Sequence, residues 1–157
     1  MQDYIKIIED DMPEQIRFLQ DLIRINSEGG DAVTAPDGSI YPFGQGVQDA
    51  LEMVLKACEE MGFRTRNADN YGAHAEFGDE GRIMGILGHL DVVPAGDGWS
   101  FARYSGDVAD GYIYGRGTTD DKGPVVAALF AMRALKKAGY EPGARIRLIL
   151  GLDEETN

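Results

Sequence analysis

The sequence predicts a soluble α/β sandwich, and three observations carry that prediction. Stretches with helical apolar spacing alternate with short strand-like apolar segments. Loops rich in Gly, Pro and Asp separate them. No unbroken apolar run exceeds eight residues, Val125–Met132, against the roughly 20 that a membrane span requires. At 157 residues the chain has the length of one domain. With 43% hydrophobic and 27% charged residues it falls outside the disordered and fibrous classes.

Taken in order, the first element is a helix whose apolar face is Tyr4, Ile8, Met12, Ile16, Leu19 and Ile23. Pro13 predicts a break or kink, with a second helical start at Asp11 or Met12. Residues 26–42 read as a loop, marked by Gly29-Gly30 and Pro36-Asp37-Gly38. Gly46–Met61 is the cleanest amphipathic helix, with Val47, Ala50, Leu51, Val54, Ala57 and Cys58 on one face and Gly62 as its stop. Ala73–Phe77, Arg82–His89 and Asp110–Tyr114 are strand candidates. Gly123–Ala138 is a helix with Pro124 in its first turn and Lys136 and Lys137 at its C-terminal dipole. Its first half is apolar nearly all round, which predicts burial on more than one side. Arg145–Leu152 is the last strand. The chain stops five residues later, at Asn157, with no layer to cover that strand, and this predicts a fragment.

The net charge is −12, from 27 acidic and 15 basic residues. Residues 1–60 carry 13 acids against 4 bases, while residues 111–157 carry 6 against 7. So acidic a surface argues against nucleic-acid partners and anionic membranes. The start Met1-Gln2-Asp3-Tyr4 lacks the basic and apolar blocks of a signal peptide. The single cysteine, Cys58, permits no internal disulfide and no Cys-based zinc site. A cytoplasmic location is the expectation.

Chemistry-bearing residues fall in three clusters at element ends. Gly88-His89-Leu90-Asp91 places a histidine and an aspartate on one strand face, the pairing by which a carboxylate orients a metal-binding ring. Gly115-Arg116-Gly117-Thr118-Thr119-Asp120-Asp121-Lys122-Gly123 fits neither a dinucleotide fingerprint nor a phosphate loop. Its adjacent carboxylates suit a divalent cation instead. Asp153-Glu154-Glu155 follows a buried strand. Each cluster alone has a plainer reading. The first can be a structural His–Asp pair, the second a helix N-terminal charge effect of about 0.3–1 kcal/mol each, the third a solvated acidic turn. Together, at strand and helix ends where ligand sites gather, they compose a metal-ligand set. His74, among Ala73, Ala75 and Phe77, reads as a structural histidine.

The ordered set G-H-L-D-V-V-P, G-R-G-T-T-D-D-K-G and D-E-E-T resembles the dinuclear zinc peptidases of family M20. Tyr41-Pro42-Phe43-Gly44, Asn70-Tyr71-Gly72-Ala73-His74, Pro94-Ala95-Gly96 with Gly98-Trp99, and Glu154-Glu155-Thr156-Asn157 narrow it to the dipeptidase V, carnosinase-like (Xaa-His dipeptidase) branch. The resemblance implies a three-layer sandwich with a mixed central sheet between helices, incomplete at its C-terminus. Residues 1–157 would be the first part of the catalytic domain, with the remainder, a lid or dimerisation domain, and an Asp and a His ligand beyond Asn157. His89 would bind one zinc, Asp120 would bridge two, and Glu155 would bind the second. Glu154 would be the general base, Asp91 the partner of His89, and the peptide bond after Asp120 cis. The implied reaction is hydrolysis of dipeptides by two Zn2+, with Co2+ or Mn2+ as other candidates, and these residues alone would be inactive. An M20 deacylase of N-acyl amino acids and a truncated non-catalytic fragment are the alternatives. A homo-oligomer is also expected. Arg103-Tyr104 stands where the family often has Pro-Phe.

Overall fold

The apolar stripe beginning at Tyr4 forms one helix, α1 (Tyr4–Arg24), in the computed structural model, which describes residues 3–141 and 143–156. Asp3 caps it, accepting from the backbone N–H groups of Ile5 and Lys6. The expected break at Pro13 is absent: the helix runs through it. A proline removes one intrahelical bond, to the carbonyl four residues back. Here that carbonyl belongs to exposed Glu9, where water can replace the lost donor. Only Leu22 and Ile23 of this helix are fully buried.

The loop over residues 26–42 holds a small hairpin that the composition did not announce. β1 (Val33–Thr34) pairs antiparallel with β2 (Ile40–Tyr41). α2 (Gln45–Glu60) follows with the predicted face buried, and Gly62 at φ +73° ends it. Cys58 lies within that face, and burial pushes its thiol up to about 12.

Four strands form the main sheet in the order β3 (Arg64–Asn67), β4 (Ala73–Phe77), β8 (Arg145–Gly151), β5 (Ile83–His89). β3 and β8 run antiparallel to β4, while β5 runs parallel to β8. The sheet is therefore mixed, as expected. Between them in sequence lie a second hairpin, β6 (Asp107–Ala109) with β7 (Tyr112–Tyr114), and α3 (Lys122–Lys137). The hairpin turns at Asp110 and Gly111, both at positive φ, the conformation an Asp-Gly pair favours.

Pleating divides the sheet into two unlike faces. Ala73, Ala75, Ile146, Leu148 and Leu150 point into the core, against Leu51, Val54, Val126 and Leu129 of α2 and α3. α1 then lies on α3, joined by the Phe18–Phe130 ring contact and by Arg133 to Glu14 at 2.7 Å. The opposite face carries the cross-strand row Arg64, Glu76, Arg147 and the row Arg66, His74, Ile149, Leu87. Leu87 is 75% exposed there.

Candidate metal centre

Parallel pairing of β5 and β8 sets the frame of the site. His89 is in register with Gly151, so the carboxyl ends of the two strands lie side by side. The N-terminus of α3 meets them: a Cβ on Gly88 would stand 2.7 Å from Asp121 Oδ2 and 2.6 Å from Val125. Only glycine permits that approach. The Asp120–Asp121 peptide bond is cis.

Three sequence-predicted residues converge. His89, Asp120 and Glu155 each offer a ligand atom within 4.8 Å of the others. His89 Nε2 lies 3.1 Å from Asp120 Oδ1 and 3.8 Å from Glu154 Oε2. Its Nδ1 is 3.0 Å from the backbone carbonyl of Asp91 and 3.3 Å from that residue's Oδ1. Asp91, 1% exposed, also accepts the Glu155 N–H at 2.9 Å through Oδ2. It therefore touches two of the three converging residues. Asp91 Oδ1 is buried without a hydrogen bond among the described residues. Asp120 and Glu154 are open to solvent, with side chains 70% and 64% exposed.

The electrostatics favour a cation. Burial works against a charged His89 ring, but Asp120, Asp91 and Asp121 outweigh it and hold its pKa above the ordinary value. A divalent ion among these carboxylates would take over the role of that proton. One imidazole nitrogen and two carboxylates are a donor set that suits Zn2+, with Co2+ and Mn2+ also matched to N and O ligands.

Further residues support the site, of which only Asp121, as the neighbour of Asp120, was singled out in the sequence. Asp121 Oδ2 accepts the backbone N–H of His89 at 3.1 Å. Ser27 and Lys122 are fully buried beside the site's loops. Glu28 accepts from Ala95 N and from the Tyr104 hydroxyl, and those two donors hold its pKa low. Tyr104 thus has a partner of its own at the position where the family often has Pro-Phe. His74, in register with Ile149 on β8, lies back from the strand ends and is not part of the converging group.

The model of peptidase family M20/M25/M40 matches residues 85–157, the stretch that contains all five site residues. Over those residues the chain is similar to that family. Relatives include YtjP of Bacillus subtilis (strain 168), provisionally named a dipeptidase, which is 43% identical over 142 residues. The beta-Ala-Xaa dipeptidase of Lactobacillus delbrueckii subsp. lactis is 41% identical over 143 residues. Each alignment covers 90% of this chain and 30% of the relative, so the chain spans about 30% of the length of the curated relatives it matches. The crystal structure of human carnosine dipeptidase 1 superposes with a TM-score of 0.82 at 26% identity, over 98% of this chain and 35% of that one. The di-peptidase Dug1p from Saccharomyces cerevisiae gives 0.78 at 22% identity, over 98% and 34%, and shares the fold. The α/β architecture, a mixed central sheet flanked by helices, is that of M20 peptidases.

Proposed function

We propose that residues 1–157 are the first part of the catalytic domain of a metal-dependent dipeptidase, completed by further catalytic-domain residues and a lid or dimerisation domain. The convergence of His89, Asp120 and Glu155 carries the reading. His89 would hold one zinc and Glu155 a second, with Asp120 a ligand shared between them. When bound, such a pair supplies Lewis acidity to the scissile carbonyl and a nucleophilic water at neutral pH. Glu154, exposed and beside His89, takes the proton from the attacking water and returns it to the leaving amine. Asp91 orients the His89 ring through its backbone carbonyl, with Oδ1 beside the same nitrogen, and holds the Glu155 N–H through Oδ2. The substrate is a small peptide. No described helix is long and apolar enough to cross a membrane, in keeping with a cytoplasmic enzyme.

The test is metal analysis and peptidase assay of the full-length protein with free and N-acylated dipeptides. Hydrolysis of free dipeptides, with about two zinc per chain, is expected. Turnover confined to N-acylated substrates transfers the protein to the deacylases. Glu154→Ala is expected to keep its metal and lose turnover by at least the 10²–10⁴-fold typical of a general base. Loss of zinc from that variant would exchange the roles of Glu154 and Glu155.

A further inference from the structure

Lys122 is the one charged side chain among the largest fully buried ones, and the hydrolytic scheme does not use it. Its Nζ donates to Leu22 O at 2.9 Å and to Ile25 O at 2.8 Å. These carbonyls lie at the C-terminal end of α1, where backbone donors run short; Leu22 O also takes the Ile25 N–H, at 3.3 Å. A buried ammonium is costly unless hydrogen-bonded, and charge-assisted bonds are roughly twice as strong as neutral ones. The grip is therefore firm, and it starts one residue after Asp121.

Two residues beyond Ile25, Ser27 makes the matching contact on the other side. Its hydroxyl, fully buried, donates to Leu90 O at 2.6 Å, and its carbonyl accepts from Val92 N at 3.1 Å. Leu90 stands between His89 and Asp91. The end of α1 is thus held from the Asp120 side by Lys122 and holds the His89 side through Ser27. The exposed side chain of Asp120, on a glycine-rich loop, has few other anchors.

We infer that residues 22–27 form a strut that sets the separation of His89 and Asp120, with Lys122 and Ser27 as the positioning residues at its two ends. The inference rests on the metal-centre reading above. A metal at about 2.0–2.2 Å from each donor tolerates little error in that separation. The strut supplies the spacing before any ion arrives.

The test uses the full-length protein loaded with Co2+, whose visible absorption bands report its ligand geometry. Lys122→Met keeps the stem and removes the donor, and Ser27→Ala removes one hydroxyl. Each is expected to weaken Co2+ binding about tenfold or more in chelator competition, the scale for residues that support metal ligands, and to shift the bands. Leu51→Ala is the control. It opens space in the core on α2, outside residues 22–27, so its melting temperature falls while its bands stay those of the parent. Bands and affinity that move as much in Leu51→Ala as in Lys122→Met overturn the inference. Should Lys122→Met not fold, Ser27→Ala decides alone, and parental bands and affinity in that variant overturn the strut. An unsubstituted protein that takes up no Co2+ overturns the metal-centre reading and the strut with it. Tight Co2+ binding indifferent to both substitutions overturns the strut only.

Discussion

Replacing Asp91 by Asn removes a charge while keeping the shape, and the structure makes both orientations of the amide unfavourable. Oδ2 receives the Glu155 N–H at 2.9 Å, and Oδ1 faces His89 Nδ1 at 3.3 Å. If the amide oxygen serves Glu155, its NH2 opposes Nδ1. That nitrogen carries the ring proton whenever Nε2 is the ligand, so two donors meet. If the amide is flipped, His89 is served and the Glu155 N–H faces a donor. The Nδ1–H keeps the Asp91 carbonyl at 3.0 Å, but either way one buried donor, the new NH2 or the Glu155 N–H, is left without an acceptor, at about 1–3 kcal/mol. Loss of a partner to a metal ligand costs 10–100-fold in affinity, or about 1.4–2.8 kcal/mol at 1.4 kcal/mol per decade. The two routes agree. Chelator competition on the Asp91→Asn full-length protein is expected to show zinc bound 10–100-fold more weakly, with the melting temperature of the metal-free form also lowered. Binding within threefold of the parent would refute the claim that this carboxylate organises the centre.

Three further outcomes are expected. Glu76, 7% exposed, pairs with Arg147 at 2.8 Å and Arg64 at 3.1 Å. Burial raises its pKa, but the arginines outweigh that and hold it below 4.5. A depressed carboxylate pKa adds stability above the unfolded value, and that stability is lost as pH falls through the folded one. Glu76→Gln should cost about 2 kcal/mol at neutral pH, between exposed and buried pairs, and denaturant titrations should show a flatter acid limb. Leu87 and Met84 are 75% and 50% exposed on β5, an edge strand of the described sheet. The 157-residue chain should therefore self-associate, and Leu87→Lys should reduce this in sedimentation; a sharply monomeric parent at high concentration contradicts it. The Cys58 thiol, buried and pushed up to about 12, should react with thiol reagents only as fast as the protein unfolds.

Elements with a marked apolar pattern were legible in the sequence. α2, α3, β4, β5 and β8 lie within a residue or so of their expected bounds, α2 because its spacing reports a single buried face and α3, β5 and β8 because their apolar runs end at Gly, Pro or charged residues. β3, Arg-Thr-Arg-Asn, has no apolar residue, so only its pairing with β4 makes it a strand. The hairpin of β6 and β7 did have a signal, the Asp110-Gly111 turn, but its strands are only three residues each. Pro13 signalled a break that an exposed helix surface does not enforce. At the site, local motifs made His89, Asp91, Asp120, Glu154 and Glu155 visible. Ser27 and Lys122 act on backbone carbonyls 63 to 100 residues away, and such partners leave no pattern in the chain.

The parallel pairing of β5 with β8 makes two seven-residue stretches, 83–89 and 145–151, intolerant of any change in length. One residue inserted or deleted in either would turn alternate side chains to the wrong face and carry His89 or Glu155 away from its neighbours. The turn at residues 96–98 hangs outside that pair, and a Cβ on Gly96 or Gly98 would meet nothing within 4 Å, so variation in length can accumulate there while the ends of the two strands keep their alignment.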